Sequence, residues 1–200
     1  MLHRKSYGGG FTIIELLVTI VVIGVVSTAM YTMFVSSINQ FFGLQQDSMR
    51  FGDLALQSQR VASILRGLTD ITEATDDDIT VYAYFSPNDN YVSFIHYYKA
   101  NGNTVMLADV TPMSANPPIG TPITANKKTY TIMNPFYADP TVQTFVYLDS
   151  AGNIIPTPIT DLHVIKGIRV NLAVPSDTPV ASGNQTISLQ VSLRNRKANL

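Results

Sequence analysis

The pattern of hydrophobic and polar positions changes twice along this 200-residue chain. From Phe11 to Met33 nearly every residue is apolar, and about 20 such residues suffice to span the core of a bilayer. Between residues 34 and 68 the apolar residues recur near helical spacing among polar ones, which predicts an amphipathic helix. Beyond residue 68, β-branched and aromatic runs alternate with turn residues, which predicts strands. The pattern therefore predicts a helix in two halves followed by a β-rich region.

The amphipathic half has one apolar stripe, which comprises Phe51, Leu54, Val61, Leu65 and Leu68. No proline occurs before Pro87, so the sequence contains no residue that breaks the helix outright. In lipid the backbone must satisfy its hydrogen bonds internally, so the apolar half is expected to be helical despite its β-branched residues. We therefore expect one helix from residue 11 to residue 68, with its stripe packed against a sheet.

The strand signals are separated by clear turn signals. Asn101-Gly102 predicts a tight hairpin, and residues 112–126, which contain four prolines, predict a surface loop. The predicted strands are 79–85, 91–98, 104–107, 129–133, 141–148, 168–174 and 185–193. Together with the helix they predict an α+β fold, in which a long N-terminal helix packs on an antiparallel β-sheet head.

One acidic residue interrupts the apolar segment. Glu15 is the sole charged residue between Lys5 and Asp47. A carboxylate at membrane depth costs about 2–3 kcal/mol or more unless it is paired. Glu15 therefore requires a partner, and that requirement points toward a function.

The residues around Glu15 form a recognisable signal. A short basic leader ends in Gly8-Gly9-Gly10, and Phe11-Thr12-Ile13-Ile14-Glu15 follows at the head of the apolar helix. This arrangement resembles the class III signal of type IV pilins and pseudopilins, most strongly from Lys5 to about Val26. The resemblance implies that a prepilin peptidase cuts between Gly10 and Phe11, and that the new amino terminus of Phe11 is methylated. It also implies that Glu15 takes part in assembly.

A physical account of Glu15 agrees with the resemblance. After cleavage, Phe11 would carry an ammonium group about one helical turn from Glu15. In a filament, the carboxylate of one subunit can meet the terminal ammonium of its neighbour. At ~4 Å and an effective dielectric constant of ~20 this attraction is about 4 kcal/mol before desolvation is subtracted. The alternative is a plain signal anchor, in which Glu15 reaches back to the membrane interface.

The signal also predicts the organisation and orientation of the chain. The expected parts are a prepilin leader at 1–10, a transmembrane and filament-core helix at 11–33, an amphipathic continuation at 34–68 and a β-rich head at 69–200. Arg4 and Lys5 precede the span. The positive-inside tendency therefore places the leader in the cytoplasm and the head outside.

Composition narrows the class of protein. The chain has 13 Lys and Arg against 14 Asp and Glu, so a general affinity for nucleic acid has no support. Cysteine is absent. Many major pilins carry a C-terminal disulfide loop, and the lack of one favours a minor subunit. The order of strands and loops loosely resembles that of the PilW, ComGF and J-type pseudopilin group.

The sequence contains few candidates for chemistry. His96 and His163 have no nearby residues at metal-ligand spacing, and no catalytic constellation or phosphate-binding loop is present. Asp76-Asp77-Asp78 could contribute to a calcium site or form a solvated turn after the long helix, and the latter is favoured. The tyrosines could present an aromatic face or pack within the sheet, and packing is favoured; they are Tyr82, Tyr84, Tyr91, Tyr97 and Tyr98. We therefore predict no catalytic residue, no metal and no cofactor.

These observations predict a structural subunit rather than an enzyme. The expected partners are other pilin or pseudopilin subunits, the prepilin peptidase, an inner-membrane assembly platform and, before assembly, membrane lipid. The alternative is a membrane-anchored adhesin or DNA-capturing module that uses the same export signal.

Overall fold

The computed structural model describes residues 12–176 and 183–194. The chain divides into two units, residues 1–45 and residues 46–200. Gly10 and Phe11, the two residues of the predicted cleavage site, lie outside the described residues.

The first helix, α1, comprises Ile13–Arg66 and is 54 residues long. Its part in the first unit is apolar, and its large side chains from Ile13 to Leu44 are exposed. By length and composition α1 can cross a membrane. At its C-terminal end α1 is two residues shorter than the expected helix of residues 11–68, because Gly67 and Leu68 lie outside the helix.

In the second unit, one face of α1 is covered by the head. Leu54, Val61 and Leu65 are fully buried on this face, as is Leu68 just after the helix. Phe51, which was expected in the same stripe, remains 45% exposed. The packed stripe therefore starts later than the apolar spacing predicts.

The first five strands form one antiparallel sheet, in the order β1-β2-β3-β4-β5. The strands are β1 (Asp70–Ala74), β2 (Ile79–Ala83), β3 (Ser93–Ala100), β4 (Val105–Pro112) and β5 (Lys128–Met133). The predicted turn at Asn101-Gly102 joins β3 to β4, and both of its residues have positive φ, 51° and 66°. Glycine and asparagine tolerate this left-handed backbone, which explains why the hairpin forms at this point.

The remaining strands form a second antiparallel sheet, in the order β7-β6-β8-β9. They are β6 (Phe145–Leu148), β7 (Ile154–Ile155), β8 (Gly167–Val174) and β9 (Gln185–Ser192). The α+β class with a long helix on antiparallel strands is confirmed, but the head has two sheets where one was expected. The N–H of Phe145 donates to the carbonyl of Asp76 at 2.9 Å, so the second sheet starts beside the β1–β2 turn instead of continuing from β5.

Strand β1 is absent from the sequence prediction. Its burial pattern has Ile71 and Ala74 buried, with Thr72 and Glu73 exposed between them. A β-bulge lies between Ile71 and Glu73, where the register with β2 shifts. Because the extra residue interrupts the period of two, the segment does not alternate as an ordinary strand does.

Two tyrosines fill the core of the head from different sheets. Tyr97 on β3 and Tyr147 on β6 are among the largest fully buried side chains. The Tyr147 hydroxyl donates to the carbonyl of Thr75 at 2.7 Å. The Tyr97 hydroxyl has no hydrogen-bond partner among the described residues. Burial raises the pKa of both phenols.

Candidate functional site

The N-terminal end of α1 is closed by two side chains. The Thr12 hydroxyl accepts a hydrogen bond from the Glu15 N–H at 3.3 Å. In return, Glu15 Oε2 accepts from the Thr12 N–H at 3.1 Å and from the Thr12 hydroxyl at 3.0 Å. These reciprocal bonds form a capping box, which satisfies N–H groups that have no partner within the helix. Glu15 therefore stabilises the start of its own helix.

The sequence carries a signal for this cap, which is absent from the sequence predictions above. Thr12-Ile13-Ile14-Glu15 has the Ser/Thr-x-x-Glu pattern of a capping box, and it lies at the start of the long apolar run. From the sequence, the expected roles of Glu15 are between subunits or at the membrane interface. The structure adds a role within the subunit, which also suits a negative charge because helix N-termini carry partial positive charge.

The two carboxylate oxygens of Glu15 differ in their hydrogen bonds. Both hydrogen bonds from Thr12 go to Oε2. Within the part of the chain that the structure describes, Oε1 accepts no hydrogen bond. An ionised carboxylate offers about four acceptor positions over its two oxygens. Glu15 can therefore cap α1 and still accept a further donor.

The surroundings of Glu15 are apolar and open. Ile13, Ile14, Leu16 and Leu17 beside it are each more than half exposed. The neutral polar side chains farther along bond back to the helix. Thr19 donates to the Glu15 carbonyl at 2.6 Å, and Thr28 donates to the Gly24 carbonyl at 2.8 Å. These hydroxyl groups are hydrogen-bonded within the helix and need no water. Glu15 is therefore the group in the described part of this segment whose charge still needs a partner.

Asp76, Asp77 and Asp78 lie in a turn after the long helix, between β1 and β2. The Asp76 carboxylate accepts a hydrogen bond from the hydroxyl of Thr157. Asp77 forms an ion pair with Lys99, with a distance of 2.5 Å between oxygen and nitrogen. Burial raises the pKa of the Asp78 carboxyl. These carboxylates thus have separate protein surroundings, and Asp76 links the turn to the segment that follows β7.

The two histidines of the head have different surroundings. His96 on β3 stacks on Tyr98, with ring centroids 4.8 Å apart. His163 lies in a short 3-10 helix, Leu162–Val164, and its backbone N–H donates to the Asp161 carboxylate at 2.9 Å.

Residues 6–31 match the family model of the prokaryotic N-terminal methylation motif. This motif is the class III signal, the signature of type IV pilins and pseudopilins. No curated protein is significantly similar to the chain. The match covers residues 6–10 of the predicted leader and the first part of α1, so it includes all three predicted site residues and no part of the β-rich head.

The motif supports a type IV pilin-like exported protein. The apolar part of α1 is consistent with a single-pass membrane anchor. A class III signal implies processing by a prepilin peptidase and assembly with other pilin subunits.

Proposed function

We propose that this protein is a minor pilin or pseudopilin, a structural subunit of a type IV pilus or of a related type II secretion or competence pseudopilus. The observation that carries the proposal is the carboxylate of Glu15, which caps the N-terminus of an exposed apolar helix inside the matched motif. The precursor enters the membrane with its leader in the cytoplasm and its head outside. The prepilin peptidase then cuts between Gly10 and Phe11, and the new terminus of Phe11 is methylated.

Assembly would replace lipid around α1 with the helices of neighbouring subunits. The exposed apolar side chains suit both surroundings, but they do not define an axial position, because apolar packing has little directionality. An ion pair between Glu15 and the ammonium group of a neighbour's Phe11 would define it. Because Thr12 bonds Oε2, the Oε1 atom is the expected acceptor for that ammonium group. The cap and the intersubunit pair are therefore compatible in one side chain.

The substitution Glu15→Gln tests the charge separately from the cap. Glutamine keeps the acceptor oxygen that a capping box needs, but it carries no charge. We expect membrane insertion and leader cleavage to continue, and the amount of protein in the sheared-filament fraction to fall strongly. Thr28→Val is a matched control, because it removes a polar group from the same apolar segment without changing its charge. Wild-type incorporation of Glu15→Gln would show that the ion pair does not position the subunit.

The cleavage site has its own test. Intact mass and N-terminal sequencing of protein from the native membrane should show a chain that begins at Phe11, with or without one methyl group. Gly10→Val should keep the leader, because a β-branched side chain crowds the cleavage subsite of the peptidase. A wild-type chain that still begins at Met1 in a host with an active prepilin peptidase would contradict the proposed maturation.

A further inference from the structure

A cleft of about 610 Å³ lies at the β5 edge of the five-stranded sheet, on the side that faces α1. Its walls come from α1, β4, β5, the segment after β2 and the short 3-10 helix Thr124–Asn126. Ligand sites typically have volumes of roughly 300–1,000 Å³, so the cleft is large enough for a small molecule. Its lining includes Arg60, Phe85, Asp89, Asn126, Lys128 and Tyr130.

An aromatic pair supports the guanidinium group of Arg60. The Arg60 Cζ atom lies 4.7 Å from the centroid of the Phe85 ring. The Phe85 ring in turn packs against Tyr130, with centroids 4.7 Å apart. Stacking of this kind holds a planar guanidinium while leaving its N–H edge available. Among the residues that the structure describes, no carboxylate pairs with Arg60.

Lys128 is the second cation of the cleft, and it differs from the lysine beside it. The ammonium group of Lys127 lies 2.6 Å from a carboxylate oxygen of Asp109, in a different cleft on the outer face of the sheet. Lys128 lines the cleft with Arg60, and it forms no ion pair with any carboxylate in the described ranges. The chain thus neutralises one lysine and leaves the next one unneutralised.

The remaining polar groups leave this cleft positive. Asp89 is the acidic residue of the lining, and its carboxylate accepts the N–H of Ser86 at 2.9 Å. Two cations against one carboxylate give a positive balance, although the whole chain has a net charge of −1. Asn126 adds an amide group, and its N–H donates to the carbonyl of Ile123 at 2.9 Å, which anchors its backbone. The cleft is therefore suited to a negatively charged ligand.

We propose that this cleft binds a small molecule with an oxyanion group, a phosphate or a carboxylate on a polar carrier of about the size of a sugar. The fork of Arg60 can donate two parallel hydrogen bonds to such a group, and Lys128 can add a point charge. Asn126 can donate to the oxyanion or to the carrier. The volume of the cleft exceeds the needs of a bare phosphate, so it leaves room for the carrier. This binding function is separate from assembly through Glu15.

The test compares ligands that differ in the oxyanion alone. Binding of glucose 6-phosphate, glucose and inorganic phosphate to the mature full-length chain in detergent would be followed by saturation-transfer NMR. We expect saturable binding of glucose 6-phosphate and no saturable binding of glucose. Arg60→Met should weaken binding about tenfold or more, because a charged hydrogen-bonding partner is lost. Arg66→Met removes the same charge from the same helix outside the cleft, and should leave binding unchanged.

A second variant guards against an effect on folding. Methionine at position 60 keeps an apolar stem over Phe85, whereas Lys128→Met acts at an exposed position on the edge strand and should also weaken binding. Binding of inorganic phosphate to the wild type, lost in both variants, would support oxyanion recognition. Equal binding of glucose, no saturable binding of either phosphate compound, or unchanged affinity in both variants would overturn the proposal. Filament incorporation of the two variants, measured in parallel, keeps this result separate from the assembly role.

Discussion

Tyr97 and Tyr147 should respond in opposite directions to the same substitution. Both side chains are buried, at 0% and 1% exposure. The Tyr147 hydroxyl donates to the Thr75 carbonyl at 2.7 Å, whereas the Tyr97 hydroxyl has no partner among the described residues. Replacement by phenylalanine removes one oxygen atom from each site and leaves the ring packing in place. The two variants therefore isolate the contribution of each hydroxyl to the free energy of unfolding.

The expected magnitudes follow from hydrogen-bond energetics. A buried polar group without a partner costs about 1–3 kcal/mol, so Tyr97→Phe should raise the free energy of unfolding by up to that amount. Tyr147→Phe loses a net hydrogen-bond contribution of about 1 kcal/mol, and burial of the bond increases this loss. The two variants should differ by roughly 2–4 kcal/mol, the sum of these effects.

The assay is guanidinium unfolding of the mature chain in detergent, followed by the β-sheet signal in far-ultraviolet circular dichroism. Tyr84→Phe is the control, because Tyr84 is 43% exposed and its change should stay within about 0.5 kcal/mol. If Tyr97→Phe destabilises the head as much as Tyr147→Phe does, the Tyr97 hydroxyl must have a partner, and the reasoning from its burial is wrong.

Three further predictions concern pH and glycine. Burial raises the pKa of Tyr97 and Tyr147 above the tyrosine pKa of the unfolded chain, which is about 10. Below this pH the two phenols should not lower the free energy of unfolding, and above it each should lower that free energy by about 1.4 kcal/mol per pH unit. Alkaline unfolding should show this slope, with phenylalanine at either position removing one share; an unchanged slope in both variants would contradict it. Gly120→Ala should destabilise the head by about 1–3 kcal/mol in denaturant unfolding, because the new Cβ would lie 1.8 Å from the Ala115 carbonyl oxygen, and wild-type stability would refute that contact. Gly52→Ala meets nothing within 4 Å in α1 and should increase helix stability by about 0.5–1 kcal/mol in thermal unfolding; a loss of stability would mean that this face of the helix is covered.

The start of α1 shows how much local sequence can predict. The apolar run, the isolated carboxylate of Glu15 and the preceding glycines all lie within a few residues of one another, and they predicted the motif that the family model matches. The capping box was also readable from Thr12 and Glu15, since it depends on a spacing of three residues. Neighbouring residues on a helix meet wherever the helix forms, so this part of the site required no tertiary information.

The division of the head into two sheets was not readable in the same way. The sequence predicted strands at 141–148 and 168–174, where β6 and β8 lie, but a strand prediction does not say which strands pair. The pairing of β6 with β8, and the contact of Phe145 with Asp76, join residues far apart in sequence. The bulge in β1 likewise becomes visible once its partner strand is in place.

Sequence alone thus determined the membrane-compatible helix, the single charge near its N-terminus and the α+β class, because these depend on composition and on short-range periodicity. Tertiary structure decided which hydroxyl of two buried tyrosines is satisfied, and which of two adjacent lysines is neutralised. Neighbouring residues in the sequence do not predict these differences between Tyr97 and Tyr147 or between Lys127 and Lys128. Their differences arise from partners such as Thr75 and Asp109, which chain folding brings close to some of these side chains and not to others.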